Sequence, residues 1–221
     1  MSRSRSEDLR FGERLALRAI DLISTLYLGY KPPVNEEAFR TLGVRGYAKW
    51  SGATGRAMKV LAAGLGEAES QFVIGFSGLW LGCGYCGAGH IHAGNLIVFR
   101  DRNVLTALDD ATLRDLYDTP DSEAIARLHE LLCAPEDARL LGLITRLYEL
   151  REGAEPGTED DAYLELALSC WDWVTECTIV IGLEIPFESV PPLTPLAKNR
   201  KLLRRYSEAR ARSRAPGDDA E

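Results

Sequence analysis

Apolar residues recur at intervals of three and four through most of this chain, a pattern typical of helices that bury one face. The first run covers 7–29 and ends at Gly29, before Pro32 and Pro33. Similar runs follow at 36–42, 54–65, 67–81, 83–100, 109–118, 122–133, 136–151, 159–182 and 195–213. No strand-like pattern exceeds four or five residues. The chain is therefore predicted to be all-α.

Three segments between these runs are expected to be irregular. Residues 43–55 are predicted to be a loop, although they contain Tyr47 and Trp50. Residues 101–109 form a connection, and 151–160 form a polar loop rich in glycine and proline. Asn35 is expected to cap the short helix over 36–42.

The stretch 71–99 contains no Asp, Glu, Lys or Arg, and it is long enough to span a bilayer. It also holds Gln71, Ser77 and Asn95 with two cysteines, two histidines and seven glycines, and this pattern favours two shorter helices over one span. We expect two helices that meet at 82–84 and form a hairpin buried inside an oligomer. The glycines suit either a close helix approach or space for a substrate, and the sequence leaves both open.

Composition indicates a globular protein, because 46% of the 221 residues are apolar. The formal net charge of −7 argues against nucleic acid as a partner. Residues 196–214 alone carry eight Lys or Arg and one Glu. We expect one helical domain over 1–195, followed over 196–221 by a basic helix and a flexible acidic tail.

Five cysteines, an odd number, do not suggest a secreted disulfide framework. A reducing compartment with one redox pair fits better, and no signal peptide is evident, so a cytoplasmic location is expected. Cys170 and Cys177 are seven residues apart on one predicted helix and are interpreted as buried packing residues.

The candidate chemistry lies in Cys83-Gly84-Tyr85-Cys86-Gly87-Ala88-Gly89-His90. If a helix starts near Cys83, then Cys86 and His90 lie one turn apart on one face. A helix N-terminus lowers a thiol pKa, and two cysteines at this spacing can close a reversible disulfide. The stretch therefore combines two thiols with a possible base.

This C-x-x-C-x-x-x-H pattern resembles the AhpD-like (alkyl hydroperoxidase D) branch of the carboxymuconolactone decarboxylase superfamily. The resemblance covers about 40–190, and its specific part is the 71–90 window. It implies an AhpD-like helical bundle, thiol-dependent peroxidase activity without metal or organic cofactor, and a homo-oligomer that is a trimer or a multiple of one. The family usually has a glutamate twelve residues before the first cysteine, where this chain has Gln71.

In that interpretation Cys86 attacks a peroxide or disulfide substrate, Cys83 resolves the product, and His90 orients and moves the proton. A separate thiol or dithiol then reduces the pair. Because Gln71 cannot accept a proton, Glu67, one turn away, is a candidate replacement, as are Asp172 and Glu176. The Tyr85 hydroxyl is a candidate hydrogen-bond donor beside the thiols.

Three alternatives remain open at this point. Zinc could bind Cys83, Cys86 and His90, with His92 or a further cysteine as the fourth ligand. The chain could instead be a non-catalytic helical oligomer that acts as a scaffold and docks partners through residues 196–214. A decarboxylase like the superfamily's namesake is a weaker alternative, since those members generally lack the cysteine pair.

The aromatic residues Trp80, Tyr163, Trp171 and Trp173 are interpreted as core or interface residues.

Overall fold

The structure is a computed structural model that describes residues 9–170 and 185–214. Its α-helices are α1 Phe11–Leu28, α2 Val34–Leu65, α3 Glu67–Trp80, α4 Gly84–Arg102, α5 Asp110–Asp118, α6 Asp121–Leu131, α7 Ala138–Arg151, α8 Asp161–Ser169 and α9 Arg200–Arg214. Short 3₁₀ helices cover Pro135–Asp137, Phe187–Ser189 and Pro195–Lys198. No strand occurs within the described ranges, so the all-α prediction is confirmed.

The prediction of a loop over 43–55 is wrong. Helix α2 runs through it, with one break at Gly43, whose φ of 65° interrupts the helical geometry. Burial of Tyr47 and Ala57 on this helix outweighs the low helix propensity of its glycines. The predicted 36–42 and 54–65 helices are therefore two parts of one kinked element.

Asn35 does not cap the helix as predicted. It is 3% exposed, and its amide nitrogen donates to Asp21 Oδ1 at 3.2 Å and to Ser24 Oγ at 3.0 Å. The Tyr47 hydroxyl donates to Asn35 Oδ1 at 2.9 Å. Asn35 thus ties α1 to both parts of α2.

The α3–α4 hairpin lies at the centre of the main core, with α2, α7 and α8 packed against α3. The sequence left open whether the glycines of this hairpin allow a close helix approach or leave space for a substrate. A Cβ on Gly75 would lie 2.5 Å from Ile91 Cγ1, and one on Gly78 would lie 3.1 Å from the Gly87 nitrogen. The glycines therefore allow the two helices to approach closely.

The hairpin is buried by its own chain. Every residue of α3 from Ser70 to Leu79 is buried without a second subunit. The flanking helices already cover the hairpin, so its burial does not by itself indicate an oligomer, and the expected oligomer stays a prediction. In the described part of the chain, no helix has the length and apolar character that crossing a membrane requires.

The C-terminal part of the described chain packs against α4. The backbone of Leu193 donates to the Gly89 carbonyl at 2.8 Å, and the Tyr206 ring packs edge-on against Phe99. Arg210 donates to the Thr106 carbonyl at 2.7 Å. The basic helix α9 is therefore docked on its own domain.

Several predictions fall outside the described residues. The predicted helix over 159–182 is described only as far as α8, and Trp171, Asp172, Trp173, Glu176 and Cys177 lie beyond it. The same holds for the predicted acidic tail at 215–221.

Candidate functional site

Cys83 and Cys86 form a disulfide at the start of α4, with their Cα atoms 5.4 Å apart. Cys83 is the N-cap residue, and its Sγ accepts a hydrogen bond from the Cys86 backbone N–H at 3.2 Å. Both residues are almost fully buried, at 1% and 3% exposure. The helix therefore begins where the motif predicts, and the two sulfurs are in bonding contact.

The position of Cys83 favours a negative charge on its sulfur. The first N–H groups of a helix lack helical acceptors and carry the positive end of the helix dipole. In the reduced protein, the Cys86 N–H would donate to a Cys83 thiolate. This contact makes Cys83 a good leaving group when the disulfide opens.

Cys86 faces a cavity of about 200 Å³ between α1, α2 and α4. The cavity is lined by Ser24, Leu28, Pro32, Val34, Asn35, Tyr47, Trp50, Ser51, Thr54, Met58, Ile74, Tyr85, Cys86, His90, Cys170 and Leu193. Most of these side chains are apolar or aromatic. The arrangement can hold a small organic molecule with its reacting atom beside Cys86.

His90 follows Cys86 by one turn of α4 and lines the same cavity. Its Nδ1 lies 2.7 Å from Gln71 Oε1 on α3. Because an amide oxygen only accepts hydrogen bonds, this contact places a proton on Nδ1 and makes Nε2 the basic atom of the neutral ring. Gln71 thus contacts His90 from the sequence position at which the resemblance places a glutamate.

Burial lowers the pKa of His90 to about 4. The neighbouring amide carries no charge that would stabilise an imidazolium. The ring is therefore neutral at physiological pH. A neutral imidazole can accept a thiol proton, but at this pKa it is a weak base.

Tyr85 lies between the two cysteines and is 1% exposed. Its hydroxyl lies beside that of Tyr30, although the two make no well-formed hydrogen bond, and neither has a partner among the described residues. Burial raises the pKa of Tyr30 to about 12 and that of Tyr85 still further. Both phenols stay protonated, and Tyr85 can donate to a bound molecule.

Glu67, the candidate replacement for a base at position 71, is engaged in an ion pair at the protein surface. Its carboxylate is exposed and pairs with Arg100 at 2.9 Å. Although Glu67 lies one turn before Gln71 on α3, the ion pair holds its side chain at the surface. The geometry therefore gives no support to Glu67 as a substitute base.

The zinc alternative has little geometric support. His92 points away from the thiols, with Nδ1 2.8 Å from the Val190 carbonyl and Nε2 2.9 Å from Asp110. In this structure Cys83 and Cys86 are bonded to each other. Among the described residues, no three His, Cys, Asp or Glu side chains gather in a group that could hold a metal ion.

Sequence reasoning missed part of the cavity wall. Cys170 was interpreted as a buried packing residue, but it is partly exposed and lines the cavity with Cys86 and His90. Leu193 reaches the same wall from the opposite end of the chain. No local pattern marks these positions, because only the folded chain brings them to the motif.

Comparison of the chain with protein-family models, curated proteins and solved structures finds no match.

Proposed function

We propose that this protein is a thiol-dependent peroxidase or disulfide oxidoreductase that uses Cys83 and Cys86 as its redox pair. The observation that carries the proposal is the placement of this pair. It lies at a helix N-terminus, beside His90, with Cys86 opening onto an apolar cavity. The resemblance to AhpD-like proteins supports the same chemistry and adds a cytoplasmic homo-oligomer without metal or organic cofactor.

In the oxidising half-reaction, the reduced Cys86 thiol gives its proton to His90 Nε2. The thiolate attacks one oxygen of the peroxide, an S–O bond forms, and the O–O bond breaks. The departing alkoxide takes a proton and leaves as the alcohol, with Tyr85 as a candidate donor beside it. Cys83 then attacks the sulfenic sulfur of Cys86, and water leaves as the disulfide closes.

In the reducing half-reaction, an external thiol or dithiol attacks the sulfur of Cys86, the cysteine that lines the cavity. The S–S bond breaks, and Cys83 leaves as a thiolate that the Cys86 N–H stabilises. A second thiol of the reductant resolves the mixed disulfide. One cycle converts a peroxide and two thiols into an alcohol, water and a disulfide. With a disulfide substrate in place of the peroxide, the same pair performs exchange.

The cavity favours a peroxide with a small apolar body. Its volume of about 200 Å³ suits a compact organic group, and walls such as Ile74, Met58 and Leu193 suit an uncharged one. The low pKa of His90 and its amide partner predict slow turnover, since proton transfer to a weak base contributes less to the rate.

A second candidate is a non-catalytic helical scaffold. The observation that favours it is the Gln71–His90 pair, because an amide cannot pass a proton along a relay. In that case the fold persists without turnover, and Cys83 and Cys86 are a structural disulfide.

The test is peroxide consumption by the full chain with dithiothreitol as reductant. The peroxidase proposal predicts turnover that Cys86→Ser abolishes and Cys133→Ser leaves unchanged, since Cys133 is exposed and distant in sequence from the motif. No peroxide consumption by a folded wild-type protein would favour the scaffold, and turnover that survives Cys86→Ser would contradict the role assigned to Cys86.

A further inference from the structure

The outer face of α1 carries an unusual number of exposed apolar side chains. Six of them are 60–77% exposed: Phe11, Leu15, Leu22, Ile23, Leu26 and Tyr27. Phe11, Leu15, Leu22 and Leu26 are spaced by four, seven and four residues, so they form one narrow line along the helix. Ile23 and Tyr27 widen that line on one side. We call these six residues the α1 stripe.

The opposite face of α1 is already packed against its own chain. Leu17 is buried in a small cluster with Ala38, Phe39 and Tyr47. The Lys198 ammonium donates to the Leu26 carbonyl at 2.8 Å, which fixes the C-terminal end of the helix. Since these contacts fix the rotation of α1, the helix cannot bury the stripe by turning.

We propose that the α1 stripe is a two-fold contact between two copies of this chain. From the exposed fractions, the six side chains present roughly 700 Å² of accessible surface per copy, more than the largest apolar patch of a typical monomer. Two stripes that face each other bury at most roughly 1,400 Å², which is within the lower part of the range of stable protein interfaces. The area therefore matches a second copy of this chain.

The composition of the stripe also suits an isologous contact. All six side chains are uncharged, and the exposed Arg14 and Arg18 border the stripe on the side of Phe11. Ala19 is exposed between Leu15 and Leu22, and a small residue at mid-helix lets two helices approach closely. A self-complementary apolar centre with charged edges is the usual composition of such interfaces.

This inference is independent of the thiol chemistry, although α1 joins the two regions. Ser24 and Leu28, on its inner face, line the cavity beside Cys86. A contact on the outer face would hold that wall in place.

The test is sedimentation equilibrium of the full-length protein from about 1 to about 100 μM, the range that resolves micromolar self-association. The proposal predicts a mass that is an even multiple of 24.4 kDa for the wild type at the upper end: two copies, or six where the trimer that the resemblance implies also forms. Leu22→Glu should weaken dimerisation by at least about a hundredfold, because it buries an unpaired charge on each copy. The matched control is Val60→Glu, an exposed apolar position on α2 that lies outside the stripe and should leave the dimer intact.

Circular dichroism of both variants checks that each is folded. A wild-type monomer at every concentration overturns the proposal, as does a dimer that Leu22→Glu leaves unchanged. A monomer that binds vesicles of phosphatidylcholine and phosphatidylglycerol, and loses that binding in Leu22→Glu, assigns the stripe to a membrane surface and also overturns it.

Discussion

The Nδ1 atom of His90 lies 2.7 Å from the side-chain oxygen of Gln71. The two residues are nineteen positions apart and belong to the two helices of the central hairpin. A glutamate at position 71 would form an ion pair with a protonated His90, whereas the amide oxygen accepts a hydrogen bond from either form of the ring and adds no charge. The charge of the side chain at position 71 therefore affects how strong a base stands beside Cys86.

Replacing Gln71 by Glu should increase activity. The new carboxylate favours the protonated form of His90, raises its pKa from about 4, and makes it a better proton acceptor for Cys86. We expect peroxide consumption to rise by at least about tenfold at pH 7. Gln71→Leu, which removes the hydrogen bond and adds no charge, is the control and should not raise the rate. An unchanged rate in Gln71→Glu would remove His90 from the proposed mechanism.

Removal of the imidazole should slow oxidation of the thiols. We expect His90→Gln to lower the rate constant for peroxide oxidation of the reduced protein by about a hundredfold, as loss of a general base usually does. The measurement is stopped-flow oxidation followed by thiol titration. His129→Gln is the matched control, because His129 contacts Thr145 at an exposed site away from the thiols. Equal rates in the two variants would contradict the assigned role.

Burial of His90 should also make the protein less stable in acid. With a folded pKa of about 4 and an unfolded value of about 6.5, only the unfolded state binds a proton between these pH values. The free energy of unfolding therefore falls as the pH falls from about 6.5 towards 4.

Chemical denaturation at pH 7 and pH 5 measures the contribution of His90 to the free energy of unfolding. The wild type should lose up to about 2 kcal/mol more between these pH values than His90→Gln, which has no imidazole to titrate. A loss of the same size in both proteins would show that His90 titrates normally in the folded state.

A substitution in the cavity wall should separate substrates by size. Met58 lines the cavity on α2, and Met58→Trp fills part of its volume of about 200 Å³. We expect reduction of tert-butyl hydroperoxide to fall by at least about tenfold, while reduction of hydrogen peroxide changes little. Met58→Leu keeps the volume and serves as the control. An equal fall for both peroxides would show that this cavity does not hold the organic group.

The central hairpin could be predicted from the sequence because both helices carry an uncharged apolar pattern and meet at a cluster of glycines. The thiols and His90 belong to one local motif, so helix geometry alone places Cys86 and His90 on one face. Gln71 is identified as a site residue only through the resemblance, because nothing in the local sequence indicates that it contacts His90 on a different helix.

The errors have a common physical cause. The glycines at 43, 46, 52 and 55 favour a loop, but the tertiary contacts that bury Tyr47 stabilise a helix there. Asn35 satisfied the local rule for a cap and instead bonds across to α1. Leu193 and Cys170 join the cavity from distant segments, and sequence periodicity cannot predict such long-range contacts.

The most direct test of the central claim is mass mapping of the two cysteines after reduction, with and without one equivalent of tert-butyl hydroperoxide. The proposed mechanism predicts that peroxide closes the Cys83–Cys86 disulfide in the wild type, and that Cys83→Ser traps Cys86 as a sulfenic acid that dimedone labels. In Cys86→Ser, no sulfenic acid should form on Cys83. If peroxide leaves both thiols reduced in a folded protein, or if dimedone labels Cys83 in place of Cys86, the redox mechanism proposed for this site is contradicted.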